Sequence, residues 1–360
     1  MSLTIGIVGL PNVGKSTLFN ALTEAGVLAA NYPFATIDPN TGIVPIPDPR
    51  LPVLRDLFDS KKTTPATVTF VDIAGLVKGA SQGEGLGNQF LANIRDVNAI
   101  CHVVRAFSSD NVAHVDEELD EAGDISTIEA ELCIADLDTI DRRLPRLEKE
   151  ATIDKALIPT VALLQRLRRC VAAGEMVSSD SDLMGHESDF ADLHLLTAKP
   201  VIYVFNCDEE ALRSEERKAE LARSVAPATA LFLDAQIEAE LTEIEEADRV
   251  ELLASVGQSE PGLNAVIRAA YEVLGLQSYL TGGEQETRAW TIQSGSTAPE
   301  AAGVIHTDFQ RGFIAAEVVS FQKLVQAGSW HSARLAGLVR TEGKSYVMKP
   351  DDVVEFRFNV

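Results

Sequence analysis

One octapeptide narrows the possible folds more than anything else in this 360-residue chain: Gly9-Leu10-Pro11-Asn12-Val13-Gly14-Lys15-Ser16, of the form G-x-x-x-x-G-K-[ST]. An apolar run, Leu3-Thr4-Ile5-Gly6-Ile7-Val8, leads into it, and Leu18, Leu22 and Ala25 follow at helical spacing. A strand, a glycine turn and a helix N-terminus in that order aim unpaired backbone N–H groups at an anion, and the glycines let the chain close around it. The Lys15 ammonium would reach the β- and γ-phosphates of a nucleotide, and the Ser16 hydroxyl would ligate Mg2+. Asn12, Val13, Gly14, Lys15, Ser16 and Thr17 are the expected phosphate-side contacts.

The rest of the chain supplies the sheet such a loop needs. Apolar runs at 67–71, 99–104, 201–205 and 230–233 are nearly continuous rather than alternating, as parallel strands covered on both faces must be. Helical stretches separate them, so the expected class is α/β with a doubly wound sheet. The interval 125–173 is too long for a simple crossover. Cys133, Leu137, Ile140, Leu144 and Leu147 step by four and three, as do Leu157, Val161, Leu164, Leu167 and Val171. The spacing predicts an antiparallel helical arm with its turn near Thr152–Lys155, and Pro145 should kink or end the first helix. From Ser278 onward, alternating stretches at 287–292, 313–319 and 353–358 indicate a small α+β domain. The expected boundaries are 1–124 with 199–277 for the nucleotide-binding domain, 125–198 for the arm, and 278–360 for the tail.

The formal net charge of -23 argues against attraction to nucleic acid or anionic lipid by bulk electrostatics, while leaving room for a local patch. Residues 1–277 carry -22 of it and the tail only -1. Arg142, Arg143, Arg146 and Lys149, with Arg166, Arg168 and Arg169, form the densest basic cluster: either a solvated face or a contact with RNA or the ribosome. The acidic stretch 238–251 is expected to be a solvated helix face. No apolar run is long enough for a membrane span and no secretory signal is evident, so a cytoplasmic location is expected. The four cysteines are singly placed, as buried apolar residues in a reducing compartment would be.

Asp72-Ile73-Ala74-Gly75 follows the strand ending at Val71. An acid there can hold Mg2+ through water, and the Gly75 amide can sense the γ-phosphate. Thr36, in Asn31-Tyr32-Pro33-Phe34-Ala35-Thr36, is a candidate second hydroxyl ligand for the metal. Position 76, where many small GTPases place a water-orienting glutamine, is Leu76, so the hydrolytic group must come from elsewhere; His114 is the candidate, against an ordinary exposed loop histidine. Gly79–Gly87 carries four glycines and is expected to be a moving switch segment.

Base choice is written at the end of the strand 201–205. A guanine site presents N-K-x-D, whereas Asn206-Cys207-Asp208-Glu209 has no lysine and ends in glutamate. The added methylene, about 1.5 Å, displaces a carboxylate from the guanine edge. An asparagine amide can match the amine and N7 of adenine, so Asn206 could read adenine, with Cys207, Glu209 and Ala235 around the base.

Taken together, these motifs resemble those of the YchF/Obg-like ATPase family over the whole chain, with Asn31–Ile37, Asp72–Ala80 and the 206–209 tetrad as the diagnostic residues. Trp290-Thr291, His306–Phe313 and Phe356-Arg357-Phe358 resemble a TGS domain, a β-grasp module. The resemblance implies a translation-factor-class P-loop NTPase fold with an inserted coiled-coil arm and that C-terminal domain. It further implies ATP preferred to GTP, ribosome association, and help in hydrolysis from a loop histidine, here His114. RNA contact would run through the arm and the TGS-like domain. Asn12 resembles the asparagine that helps some relatives hold a monovalent cation, which points to K+. Two alternatives stay open: an ATP-dependent binding switch with negligible turnover, and a GTP-specific GTPase.

Overall fold

The structure is a computed structural model, and the residues it describes are 3–29, 40–73, 86–108, 119–244 and 246–359. Thr36, Gly75, Leu76, His114 and residues 79–85 of the glycine-rich stretch lie outside the described residues. The chain is α/β and divides into two compact units. One is built chiefly from 3–25, 40–42 and 69–270, the other from 43–68 and 271–359.

The first sheet has six strands in the order β2-β4-β1-β5-β6-β7. These are β1 (Thr4–Val8), β2 (Thr41–Pro45), β4 (Thr67–Asp72), β5 (Ala99–Ala106), β6 (Val201–Cys207) and β7 (Thr229–Leu233). The pairs β1–β4, β1–β5, β5–β6 and β6–β7 are all parallel. All eight residues of β5 are buried, and so are six of the seven in β6, which is why these runs carry almost no polar alternation. β2 was not legible in the sequence: at the sheet edge its Ile43 stays exposed, so the strand lacks a two-sided apolar pattern.

Between β5 and β6 lie two long helices, α4 (Glu121–Ile153) and α5 (Ile158–Ala172), reversing at Asp154 and a short 3-10 turn. Their seam buries Ile140, Leu144, Leu147, Leu164, Leu167 and Val171. Bonds from Arg168 to Asp141 (2.6 Å) and from Gln165 to Glu148 (2.9 Å) confirm the antiparallel register. α4 continues through Pro145, so the helix does not end there. Pro145 is exposed, so the Asp141 carbonyl that loses its partner can be hydrated, and the seam on both sides outweighs the ~3 kcal/mol cost of a mid-helix proline. The basic cluster is also less free than its sequence suggests. Arg142 pairs with Asp138, Arg146 with Glu150 and Arg168 with Asp141.

The second unit holds a mixed six-stranded sheet, ordered β11-β10-β12-β8-β9-β3. Its strands are β3 (Thr63–Thr64), β8 (Leu276–Thr281), β9 (Thr287–Gln293), β10 (Phe313–Ser320), β11 (Arg340–Glu342) and β12 (Asp352–Phe358). β8 runs parallel to β12 and antiparallel to β9, and β12 is antiparallel to β10. A helix at Ala298–Ile305 covers one face, where Tyr279 is fully buried and donates its hydroxyl to Ala301 O (2.9 Å). The segment 43–68, which the sequence places inside the nucleotide domain, packs here: β3 pairs with β9, and Arg50 reaches Asp48 (2.6 Å) and Asp351 (3.3 Å).

Candidate nucleotide site

The loop after β1 takes the conformation its glycines permit. Asn12 and Gly14 both have positive φ, 64° and 91°. Asparagine tolerates that region; at Gly14 a side chain is excluded twice over, because a Cβ would also overlap the Asn206 amide. At Gly9 a Cβ would come within 2.7 Å of the Val103 carbonyl oxygen. The helix α1 (Lys15–Ala29) starts directly after the loop, leaving the amides of its first turn without intrahelical acceptors. Ser16 and Thr17, both exposed, line a cavity of about 570 Å3 together with Asn12 and Gly14. Val13 is buried and faces inward.

Asp72, the last residue of β4, lies beside the loop, and its Oδ1 accepts from Lys15 Nζ at 3.1 Å. The pair brings the Lys15 ammonium and the Asp72 carboxylate together beside the loop. Thr36, Gly75 and His114 lie outside the described residues.

The far wall comes from the ends of β5, β6 and β7. Asn206, only 6% exposed, donates Nδ2–H to Val13 O (3.0 Å) and accepts from Ala235 N at its Oδ1 (2.9 Å). The amide thus ties the phosphate loop to the turn after β7. Its second N–H and the remaining oxygen lone pair are what it can still offer a base. Cys207 and Ala235 line the same cavity; burial, with Asp208 and Asp234 nearby, pushes the Cys207 thiol up to about 12, so it acts as a small apolar wall. Glu209 is absent from the lining. It is 59% exposed and pairs with Arg213 one helical turn on (3.1 Å).

Phe107 and Ser108, not singled out from the sequence, also line the cavity, as do Asp208 of the 206–209 tetrad and Asp234 and Gln236 in the turn after β7. The buried Arg105 holds Phe107 from behind, with its guanidinium 4.7 Å from the ring centroid and Nε donating to Phe107 O (3.2 Å). Asp208 caps the helix Glu209–Arg213 by accepting from Ala211 N (3.0 Å), and its other oxygen accepts from Ser108 N (3.2 Å). Asp234 caps the helix Ala235–Glu243 through Gln236 N and Ile237 N, and burial holds its carboxyl above the usual range despite those bonds. Their shared signal was position: each stands within three residues of a parallel strand's carboxyl end, where α/β ligands bind.

Glu238 corrects the expectation of a solvated acidic face. It is 1% exposed and accepts from Gly262 N (2.5 Å) and Leu263 N (3.3 Å), capping the helix Gly262–Val273. Burial pushes its pKa up to about 7.

Phosphate-side, metal-side and base-side groups thus converge at the carboxyl ends of parallel strands, and the class this defines is the P-loop nucleotide-binding proteins. Known proteins narrow it. Residues 4–135 match a family model described as 50S ribosome-binding GTPase. Residues 276–359 match the C-terminal model of YchF GTPases, described as a protein of unknown function. The chain is 48% identical over 366 residues to the Bacillus subtilis protein named ribosome-binding ATPase YchF, and 47% identical over 364 to its namesake in Escherichia coli O157:H7, covering all of both chains each time. The solved Schizosaccharomyces pombe YchF GTPase superposes with a TM-score of 0.88 at 37% identity, over 99% of this chain and 98% of that one. The chain belongs to the YchF family.

Proposed function

We propose that this chain is a slow, Mg2+-dependent ATPase whose nucleotide state gates association with ribosomes. The names of its relatives divide on the nucleotide: the bacterial proteins are called ATPases and the Schizosaccharomyces pombe protein a GTPase. One observation favours ATP. The position from which a guanine-directed carboxylate would act is Glu209, which lies off the cavity and is paired with Arg213, and the two carboxylates that do line it are already held, Asp208 by Ala211 N and Ser108 N and Asp234 by Gln236 N and Ile237 N. With no acid among the described residues of the cavity left unbonded for the guanine edge, the amide of Asn206 is left to meet a purine, and it suits adenine.

Lys15 and the first-turn amides would bind the phosphates, and Ser16 with Asp72 would hold Mg2+. These are oxygen donors, few in number, as suits an ion that shares its shell with water and phosphate. Bound there, the ion would neutralise charge developing on the phosphoryl oxygens. Thr36, Gly75 and His114 belong to this proposal through the family resemblance, as third metal contact, γ-phosphate sensor and water-positioning group. So do K+ at Asn12, a TGS character for 278–360, an RNA-contacting arm at 125–198, and a cytoplasmic location. No helix among the described residues is long and apolar enough to cross a membrane.

Competition between ATP and GTP for the purified protein, with Mg2+, tests the assignment. ATP binding about tenfold tighter than GTP, ~1.4 kcal/mol, is expected; the reverse order would make the chain a GTPase. Single-turnover hydrolysis with and without ribosomes then separates an ATPase from a switch that binds without turnover.

A further inference from the structure

The Watson–Crick edge of adenine sets a donor, the 6-amine, beside an acceptor, N1. A side chain that reads it in full must offer an acceptor and a donor side by side. Carboxylates offer acceptors only, which removes Asp208 and Asp234, and the Ser108 hydroxyl is turned toward Asp208 Oδ2 (3.4 Å). A carboxamide fits the requirement, and among the described residues Asn12, Asn206 and Gln236 bring one to the nucleotide cavity. Asn12 belongs to the phosphate loop, at the other end of the site. Asn206 spends one N–H on Val13 O and one lone pair on Ala235 N, and what it keeps suffices for N7 alone.

Gln236 is committed differently. It follows Ala235, whose N–H holds the Asn206 oxygen, so the two amides start from adjacent points of the same wall. Its own backbone is fixed, because Asp234 Oδ1 accepts from Gln236 N (2.8 Å) in the first turn of the helix Ala235–Glu243. Its side chain is exposed and makes one bond among the described residues, a long one from Nε2 to Glu240 Oε1 (3.4 Å). That bond uses one of two Nε2 hydrogens and leaves Oε1 open. It also sets the order of the amide, since turning it over would point Oε1 at the Glu240 carboxylate, lone pair against lone pair.

We infer that Gln236 is a specificity-determining residue of this site, reading the Watson–Crick edge of adenine while Asn206 meets N7. The inference rests on the ATPase reading above. Gln236 Oε1 accepts from the 6-amine, and the second Nε2 hydrogen goes to N1. Guanine needs the reverse order, a donor at its 6-carbonyl and an acceptor at its N1–H, and Glu240 opposes the turned amide that would supply it.

Calorimetric titration of the full-length protein with Mg2+ and, in turn, ATP, GTP, 1-deaza-ATP and inorganic tripolyphosphate tests this. Gln236→Ala should weaken ATP by about five- to thirtyfold, the lower half of what a bidentate amide–adenine pair supplies, since the side chain is exposed. Tripolyphosphate has no base and should bind parent and variant alike. 1-Deaza-ATP, which lacks the N1 acceptor, should bind the parent less tightly than ATP does, and Gln236→Ala should erase that difference. Gln236→Glu, with two acceptors, should weaken ATP at least as far and tighten GTP. Glu240→Ala releases the amide to turn over, so the preference for ATP should narrow, chiefly through tighter GTP. ATP affinity within about twofold of the parent in Gln236→Ala overturns the inference and leaves the ATPase reading standing. So does an ATP-to-GTP ratio unmoved in Gln236→Glu, or an equal loss of ATP and tripolyphosphate. A parent protein that prefers GTP overturns the ATPase reading itself, and this inference with it.

Discussion

Replacing Asn206 by alanine probes how the two halves of the nucleotide site are joined. The substitution removes two bonds, Nδ2–H to Val13 O (3.0 Å) and Ala235 N–H to Oδ1 (2.9 Å). Val13 and Ala235 are 1% and 2% exposed, so the carbonyl and the amide left behind are poorly placed to recruit water. Stranding a buried polar group costs about 1–3 kcal/mol. Because the cavity beside them admits some solvent, the lower half of that range applies, and two groups together lose about 2–4 kcal/mol. At ~1.4 kcal/mol per decade, that is about a thirty- to seven-hundredfold loss if all of it falls on ATP affinity. Some will appear instead as lower thermal stability, since the same bonds tie the β1 and β7 turns before nucleotide binds. Titration calorimetry with Mg–ATP and a melting curve on the same sample partition the two. Asn206→Asp gives a sharper signature. It keeps the acceptor for Ala235 N but turns an oxygen with no proton toward the Val13 carbonyl, so an isosteric change should do at least as much damage as truncation. An alanine variant that binds ATP within about twofold of the parent and melts with it, or an aspartate variant that behaves as the parent, would refute the brace.

Two further outcomes follow from the same geometry. Gly14→Ala should abolish measurable nucleotide binding, because the residue needs a positive φ and its Cβ would displace the Asn206 amide; calorimetry that finds ATP binding intact would show that the loop relaxes without loss. For Glu238, the folded pKa of about 7 lies above the 4.5 of an exposed glutamate, so the native chain holds the extra proton between those values. The protonated carboxyl contributes fully below pH 4.5, and stability falls as pH rises through 7, by about 3 kcal/mol in all. Urea unfolding at pH 5 and pH 8 should show that loss, and Glu238→Gln should flatten it; a slope unchanged in the variant assigns the effect to other groups.

The phosphate end of the site was legible because its physics is local. Positive φ at Gly14, unpaired amides at the start of α1, and a lysine directly after the turn all follow from neighbouring residues. The central strands were legible for a similar reason, since burial on both faces leaves a continuous apolar run that needs no partner to be recognised. Edge strands such as β2 and β3 lack that run, so the pattern does not single them out.

The base end was only half legible. Asn206 was correctly placed at the cavity, yet the sequence suggested an amide free to read a purine, and most of its bonding is spent on Val13 and Ala235. Glu238 looked like one of many surface acids until the helix beginning at Gly262 came to rest on it. The segment 43–68 sits in sequence beside the nucleotide loop, but β3 finds its partner strand more than 200 residues later. Sequence alone determined the conformation of the phosphate loop and the helix that starts from it, because a turn's conformation is decided within a few bonds. Only the tertiary structure decided which carboxylates face the cavity, which are neutralised and which are buried, because a charge's partner and its exposure to water are set by whatever distant segment packs against it.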